Sequence, residues 1–383
     1  HSTLRSPLGV AELHGRNPAG WGACHPHVRS RNQATGLGGQ HNDFRSLGQC
    51  PANGVEKEHR HGDGHQTRED QDARQVLPPA PGPSHRSQSL APAPEDRDPS
   101  SVAESNLWGV MLRLGNIDYS NCYPIHGPLL EGARPPWLEM VDGTPSDLNR
   151  LLATGELDIA PGSSIELARH AREYAALSGL CIGSAGPVES IILATRVPPD
   201  GLDGRIVSLP TASATSRSLL RILLEIRLGV RPIWADFDQR AGDPLLADTR
   251  DADAALFIGD VALRRECGAG ETHFDLGAEW TEWTGLPFVY ALWLVADSAA
   301  AQRETEELHR LFLTSRDSIA ADSASLSERA GARYGFPPPR LRSYWSRIRY
   351  DLDDRMLAGL RRFLDLAAEL GDAPPVEGIR LSP

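Results

Sequence analysis

Apolar residues stand singly over the first hundred positions and gather into recurring blocks from Leu112 onward. Short apolar runs at Met111–Leu114, Leu157–Ala160, Ser190–Ala194, Arg205–Leu209, Ala254–Ile258 and Phe288–Val295 predict strands. The later runs are apolar on successive residues, as strands covered on both faces must be. Leu219, Ile222, Leu223 and Ile226 fall at i, i+3, i+4 and i+7, which predicts an amphipathic helix after Ser213. The same spacing at Leu360, Phe363, Leu364 and Ala367 predicts a second, with Gly371 as its C-terminal cap. Strands alternating with helices predict an α/β fold, and no internal repeat is present.

The stretch before these blocks has neither a helical nor a strand period. It holds nine of the 13 His, and its Pro78-Pro79-Ala80-Pro81-Gly82-Pro83 segment offers nothing to a core. Such a composition does not repay the entropy of ordering, so residues 1–105 are predicted to be a disordered leader. The chain begins with His rather than Met, and a mis-assigned translation start would account for a leader of this kind. His59, His61 and His65 make a His-rich tract, but a flexible loop lacks the supporting hydrogen bonds that orient metal-bound imidazoles, so no metal site is expected.

Residues 1–100 balance eleven basic against eleven acidic side chains, which puts the whole formal charge of -12 on the remainder. An acidic body argues against nucleic acid or an anionic membrane as partner. The 5 Cys are scattered, without C-x-x-C spacing, so neither a disulfide framework nor structural zinc is expected. No apolar run reaches membrane-spanning length and no signal-peptide pattern opens the chain, which predicts a cytoplasmic protein. Lys57 is the only lysine, which excludes Schiff-base chemistry from the ordered part. Walker-type, dinucleotide-binding, nucleophile-elbow and H-E-x-x-H motifs are absent, and the reading requires no cofactor.

What chemistry there is lies at strand-to-helix junctions. Asp158-Ile159-Ala160-Pro161-Gly162-Ser163-Ser164 leaves a strand with two candidate N-cap serines, Gly186-Pro187-Val188-Glu189-Ser190 runs into another strand, and Ser213-Ala214-Thr215-Ser216 opens a helix. Free backbone N–H groups at helix starts, together with neutral hydroxyls, suit a small carboxylate or phosphate. Each serine taken alone reads equally well as a cap. Of the four downstream His, His126 lies near the first motif, while His170, His273 and His309 read as surface or helix positions.

Longer strings add a family. Leu114-Gly115-Asn116-Ile117-Asp118-Tyr119-Ser120-Asn121-Cys122-Tyr123-Pro124 resembles the opening motif of the menaquinone-biosynthesis family that includes chorismate dehydratase of the futalosine route. Gly143-Thr144-Pro145-Ser146-Asp147-Leu148-Asn149, Gly155 to Glu166, Gly186 to Ser190, Ser213 to Ser216, Ile258-Gly259-Asp260 and Trp280 to Phe288 are similar to its later blocks, in order. Arg349-Tyr350-Asp351-Leu352 and Gly359 to Phe363 resemble its C-terminal helix region.

The resemblance implies a two-lobed type II periplasmic-binding-protein-like fold with a ligand cleft. Residues 106–195 and 290–383 would form the first lobe and 196–289 the second, with Ile191–Ala194 and Phe288–Val295 as the hinge crossings. The implied reaction removes water from chorismate, giving 3-[(1-carboxyvinyl)oxy]benzoate, by a monomer or homodimer without cofactor or metal. The family pattern implies catalytic roles for Asn121 and Ser190. It also implies substrate contacts from Tyr119, Ser163, Ser164, Gly186, Ser213, Thr215, Ser216, Gly259, Asp260, Thr284 and Gly285. The proton acceptor is then either the substrate's enolpyruvyl carboxylate, which is favoured, or Asp260, whose charge beside a dianion is costly. Trp280, Trp283 and Phe288 read as packing. Two other functions remain open: a small-carboxylate receptor or sensor on the same fold, and the sister 1,4-dihydroxy-6-naphthoate synthase.

Overall fold

The computed structural model describes residues 111–246 and 251–382. The leader expected over 1–105, with its His-rich tract, lies outside the described residues. The described chain opens with a mostly parallel unit: β1 (Leu112–Ile117), α1 (Tyr123–Leu130), β2 (Leu138–Gly143), α2 (Pro145–Ala153) and β3 (Ile159–Ser163). Thr144 caps α2 in a reciprocal arrangement with Asp147, which satisfies two of the amides a helix start leaves open. Then follow α3 (Glu166–Arg169), β4 (Tyr174–Leu177) and β5 (Ile182–Ser184).

The chain next enters a second sheet through β6 (Ile191–Thr195), β7 (Ile206–Pro210), α4 (Ala214–Arg221), β8 (Ile233–Phe237), β9 (Ala254–Ile258), α5 (Gly259–Arg264), β10 (Thr272–Asp275) and α6 (Leu276–Thr284). It returns with β11 (Phe288–Ala296), α7 (Asp297–Ala300), α8 (Arg303–Tyr334), α9 (Pro338–Trp345), β12 (Ile348–Arg349), α10 (Asp354–Glu369) and β13 (Leu381–Ser382). The first sheet runs β12-β5-β11-β3-β1-β2, with β4 and β13 beside β11; the second runs β10-β6-β9-β7-β8. In the second sheet β7 lies parallel to β8 and β9, whereas β6 is antiparallel to β9.

The periodic segments form as their spacing requires. Ala254–Ile258 is buried at every position, and Leu219, Ile222 and Leu223 are fully buried in the core. That helix continues past Arg221 as a π-helical turn over Ile222–Arg227. Gly371, at φ 77°, closes α10: its N–H donates to the Ala368 carbonyl and that of Asp372 to Ala367. Trp280 is fully buried with its ring edge-to-face against Phe288 at 5.1 Å.

Two expectations are corrected. The apolar strands are not hinge crossings: β6 pairs along its whole length inside the second sheet and β11 begins pairing in the first at Phe288. Sheet membership therefore changes before Ile191 rather than at 196, through the segments 185–190 and 285–287. A strand buried on both faces needs ladder partners throughout, which a crossing between sheets cannot offer. The serines after β3 are not N-caps either. β3 extends to Ser163, and α3 starts at Glu166 without a side-chain cap.

Candidate active site

The end of β1 feeds the loop Asp118–Cys122, which faces the start of α5 in the second lobe. Ser120 donates its amide and its hydroxyl to Asp260, the latter at 2.6 Å. Burial pushes the Asp260 carboxyl up from its ordinary value, and the Ser120 hydrogen bonds oppose that rise. Beside this contact the Tyr119 ring lies against Gly259. A Cβ on Gly259 would stand 3.0 Å from the ring, and φ there is +60°, so glycine is required twice over.

Between the lobes lies a cavity of about 60 Å³, lined by Tyr119, Asn121, Ser163, Ser213, Ser216 and Gly259 together with Ile117, Ile191 and Tyr290. Ser213 caps α4 by accepting from the Ser216 amide at 3.3 Å, and its own hydroxyl donates to Ser216 Oγ at 3.0 Å. Tyr119 Oη and Asn121 Oδ1 are buried without a hydrogen-bond partner, which leaves both atoms for a ligand. The lining carries no ionised side chain. Small-molecule sites usually enclose ~300–1,000 Å³, so the lobes must part to admit a ligand.

Six residues named from sequence therefore meet at one surface, and the others sit elsewhere. Ser190 is buried one residue before the lining Ile191, with its Oγ accepting from Tyr344 Oη at 2.9 Å. Ser164 donates to the Val289 carbonyl, and Thr215 accepts from the Ile165 amide, so both tie strand to helix behind the wall. Gly186 accepts from Ser184 Oγ in the crossing segment. Thr284 donates to Trp280 O and accepts from the Leu286 amide; Gly285, at φ 70°, ends α6. These six, like Asp260, do not line the cavity.

His126 is buried in the core of the first lobe. Nδ1 lies 2.8 Å from Asn116 Oδ1, and Nε2 accepts from Trp293 Nε1 at 2.9 Å. Burial lowers its pKa to about 3, so it stays neutral as a packing group. His273 lies on β10, paired with Ala194.

Sequence reading missed the supports of the crossing segment. Asp275 accepts from the amides of Val188 and Glu189 at 2.9 and 2.6 Å, and from Gly277 and Ala278 at the start of α6. Glu189 is the one non-glycine at positive φ among the described residues, at 64°, and its carboxylate pairs with Arg340 and Arg347. A non-glycine residue in that region costs about 1–3 kcal/mol, so Ser190 is held by surroundings that over-determine its backbone. Nothing in the string Gly-Pro-Val-Glu-Ser signals this, because the restraining groups lie far along the chain.

A family model described as menaquinone biosynthesis matches residues 112–369. The chain belongs to that family. A chorismate dehydratase of Thermus thermophilus is 30% identical over 272 residues, covering 66% of this chain and 93% of its own. A second chorismate dehydratase, from Campylobacter jejuni, is 31% identical over 183 residues, 46% of this chain and 64% of its own. Among solved structures, a protein of Archaeoglobus fulgidus superposes with a TM-score of 0.57 at 18% identity, over 68% of this chain and 97% of that one. The alkanesulfonate-binding protein of Xanthomonas axonopodis superposes at 0.50 and 14% identity, over 70% and 95%. The fold is that of the periplasmic binding proteins, and among the described residues no helix is long and apolar enough to cross a membrane.

Proposed function

We propose that this member of the menaquinone-biosynthesis family is a chorismate dehydratase, acting on chorismate in the inter-lobe cleft. The observation that carries the reading is the meeting of Asn121 and Ser190, from separate segments, at one buried phenol beside a cavity furnished with neutral donors. The names of the Thermus and Campylobacter relatives supply the substrate.

Chorismate is a dianion. The Ser213–Ser216 start of α4 supplies hydroxyls and helix amides to one carboxylate, with the positive end of the helix behind them. Ser163 and the Tyr119 phenol are neutral donors on the facing wall. Elimination joins the loss of a ring C–H proton to departure of the neighbouring hydroxyl, and the aromatic ring that forms drives it. Asn121 and Ser190 orient and hydrogen-bond the departing oxygen. Asp260 lies outside the cavity lining and already accepts from Ser120, so the substrate's own enolpyruvyl carboxylate is assigned the proton. Closure of the lobes excludes water and holds the two groups in reach.

The test is to mix the purified chain with chorismate and follow products by liquid chromatography with mass spectrometry. Loss of one water, slowed strongly but still measurable in Asn121→Ala or Ser190→Ala, is the expected result. Chorismate recovered unchanged from folded protein refutes the reading in favour of a binding protein.

A further inference from the structure

The α9 region reaches both segments assigned to catalysis. Trp345 Nε1 donates to the Ser120 carbonyl at 2.9 Å, and Tyr350 Oη donates to the Asn121 carbonyl at 2.8 Å. Between them Tyr344 donates its phenol proton to Ser190 Oγ at 2.9 Å and also faces the Asn121 side chain. Tyr344 is 1% exposed, and burial raises its pKa far above the ordinary tyrosine value, so the phenol keeps its proton.

A serine hydroxyl has a single proton to give. Ser190 Oγ receives one from Tyr344, and among the described residues its own proton meets no protein acceptor. Asn121 Oδ1 is likewise buried without a partner on the cavity wall. We propose that Tyr344 is the positioning residue that couples Ser190 to Asn121, fixing the serine rotor so that its proton is offered to the departing hydroxyl. The inference rests on the dehydratase reading. In the elimination the ring C–H bond breaks and its electron pair forms the new ring double bond. The neighbouring C–O bond breaks, and the hydroxide leaves as water with the proton relayed by the substrate carboxylate. Ser190 and Tyr344 both end the cycle with the protons they began with, so Tyr344 touches no reacting atom.

A mutant cycle on the full chain tests this, with kcat and KM for chorismate measured for the unmodified protein, Tyr344→Phe, Ser190→Ala and the double variant. Tyr344→Phe is expected to lower kcat about tenfold or more while KM stays within about threefold. Added to Ser190→Ala, it is expected to change kcat by less than about twofold, because its route of action is already gone. The double variant also guards against loss of fold, since it removes both partners of the buried Tyr344–Ser190 hydrogen bond together. Unchanged kcat in Tyr344→Phe, or single effects that multiply in the double variant, overturns the inference while leaving the dehydratase reading standing. Absence of turnover in the unmodified chain overturns both.

Discussion

Ser120 and Asp260 are 140 positions apart in sequence, yet the serine gives the carboxylate both its amide and its hydroxyl, at 3.2 and 2.6 Å. The pair joins the loop after β1 to the first turn of α5 and so spans the two lobes. Asp260→Ala leaves two buried donors unpaired, at about 1–3 kcal/mol each. Chemical denaturation is expected to show a loss of that order.

The same residue separates the two proton-acceptor assignments. A general base contributes about 10²–10⁴ in rate. Asp260→Asn keeps an acceptor for Ser120 but cannot take a proton, and turnover within about tenfold of the unmodified protein is expected. Loss of activity by a thousandfold with a normal melting curve would return the base to Asp260.

Gly259 sets how closely the lobes meet at Tyr119. Gly259→Ala places a methyl 3.0 Å from the Tyr119 ring at a backbone φ of +60°. The left-handed conformation costs about 1–2 kcal/mol, and the ring must move into the cavity. Calorimetry is expected to show a lower Tm, and kinetics a raised KM for chorismate.

Burial of neutral His126 predicts acid sensitivity. Its pKa falls from 6.5 to about 3 in the folded protein, so between those values the unfolded chain binds the extra proton. The stability it contributes is present above pH 6.5 and is lost as pH falls toward 3, up to about 5 kcal/mol in all. His126→Gln can still donate to Asn116 and accept from Trp293. Urea midpoints from pH 7 to 4 are expected to fall less steeply in this variant than in the unmodified protein.

Opening of the cleft must break contacts that span its rim. Arg221 of α4 pairs with Asp372 after α10, and Ser146 Oγ donates to the Thr211 carbonyl at 2.7 Å. Arg221→Ala is expected to enlarge the radius of gyration of the ligand-free protein in small-angle scattering and to raise KM severalfold, with kcat less affected. An unchanged scattering curve and KM would show that the rim contacts do not hold the lobes together.

Periodicity and turn chemistry made much of this fold legible. Ala254–Ile258 and the helix after Ser213 declare themselves because burial imposes a pattern on neighbouring residues, and Gly371 because a left-handed cap favours glycine. Where the pattern is ambiguous, local chemistry misleads: Ser163 is as small and polar as an N-cap, yet it ends a strand. The cavity gathers Tyr119, Asn121, Ser163, Ser213, Ser216 and Gly259, each marked by its junction. Tyr344 and Asp275 were not legible. A buried tyrosine announces only that its hydroxyl needs a partner, and the partner is set by the packing of α9 on the crossing segment, which no local spacing encodes.

The two crossings leave and rejoin the first sheet at neighbouring points, since Ser184 and Phe288 face each other in the β5–β11 ladder. Everything in the second sheet is thus looped out between adjacent rungs. Bringing those rungs together across an unstructured chain of that length is slow and entropically costly. In the folded protein the ends of the looped-out part stand about 5 Å apart, the spacing of facing residues in a ladder. Strands β5 and β11 then meet as though joined by a short turn. The outer sheet therefore carries the whole inserted lobe without a gap in its own ladder.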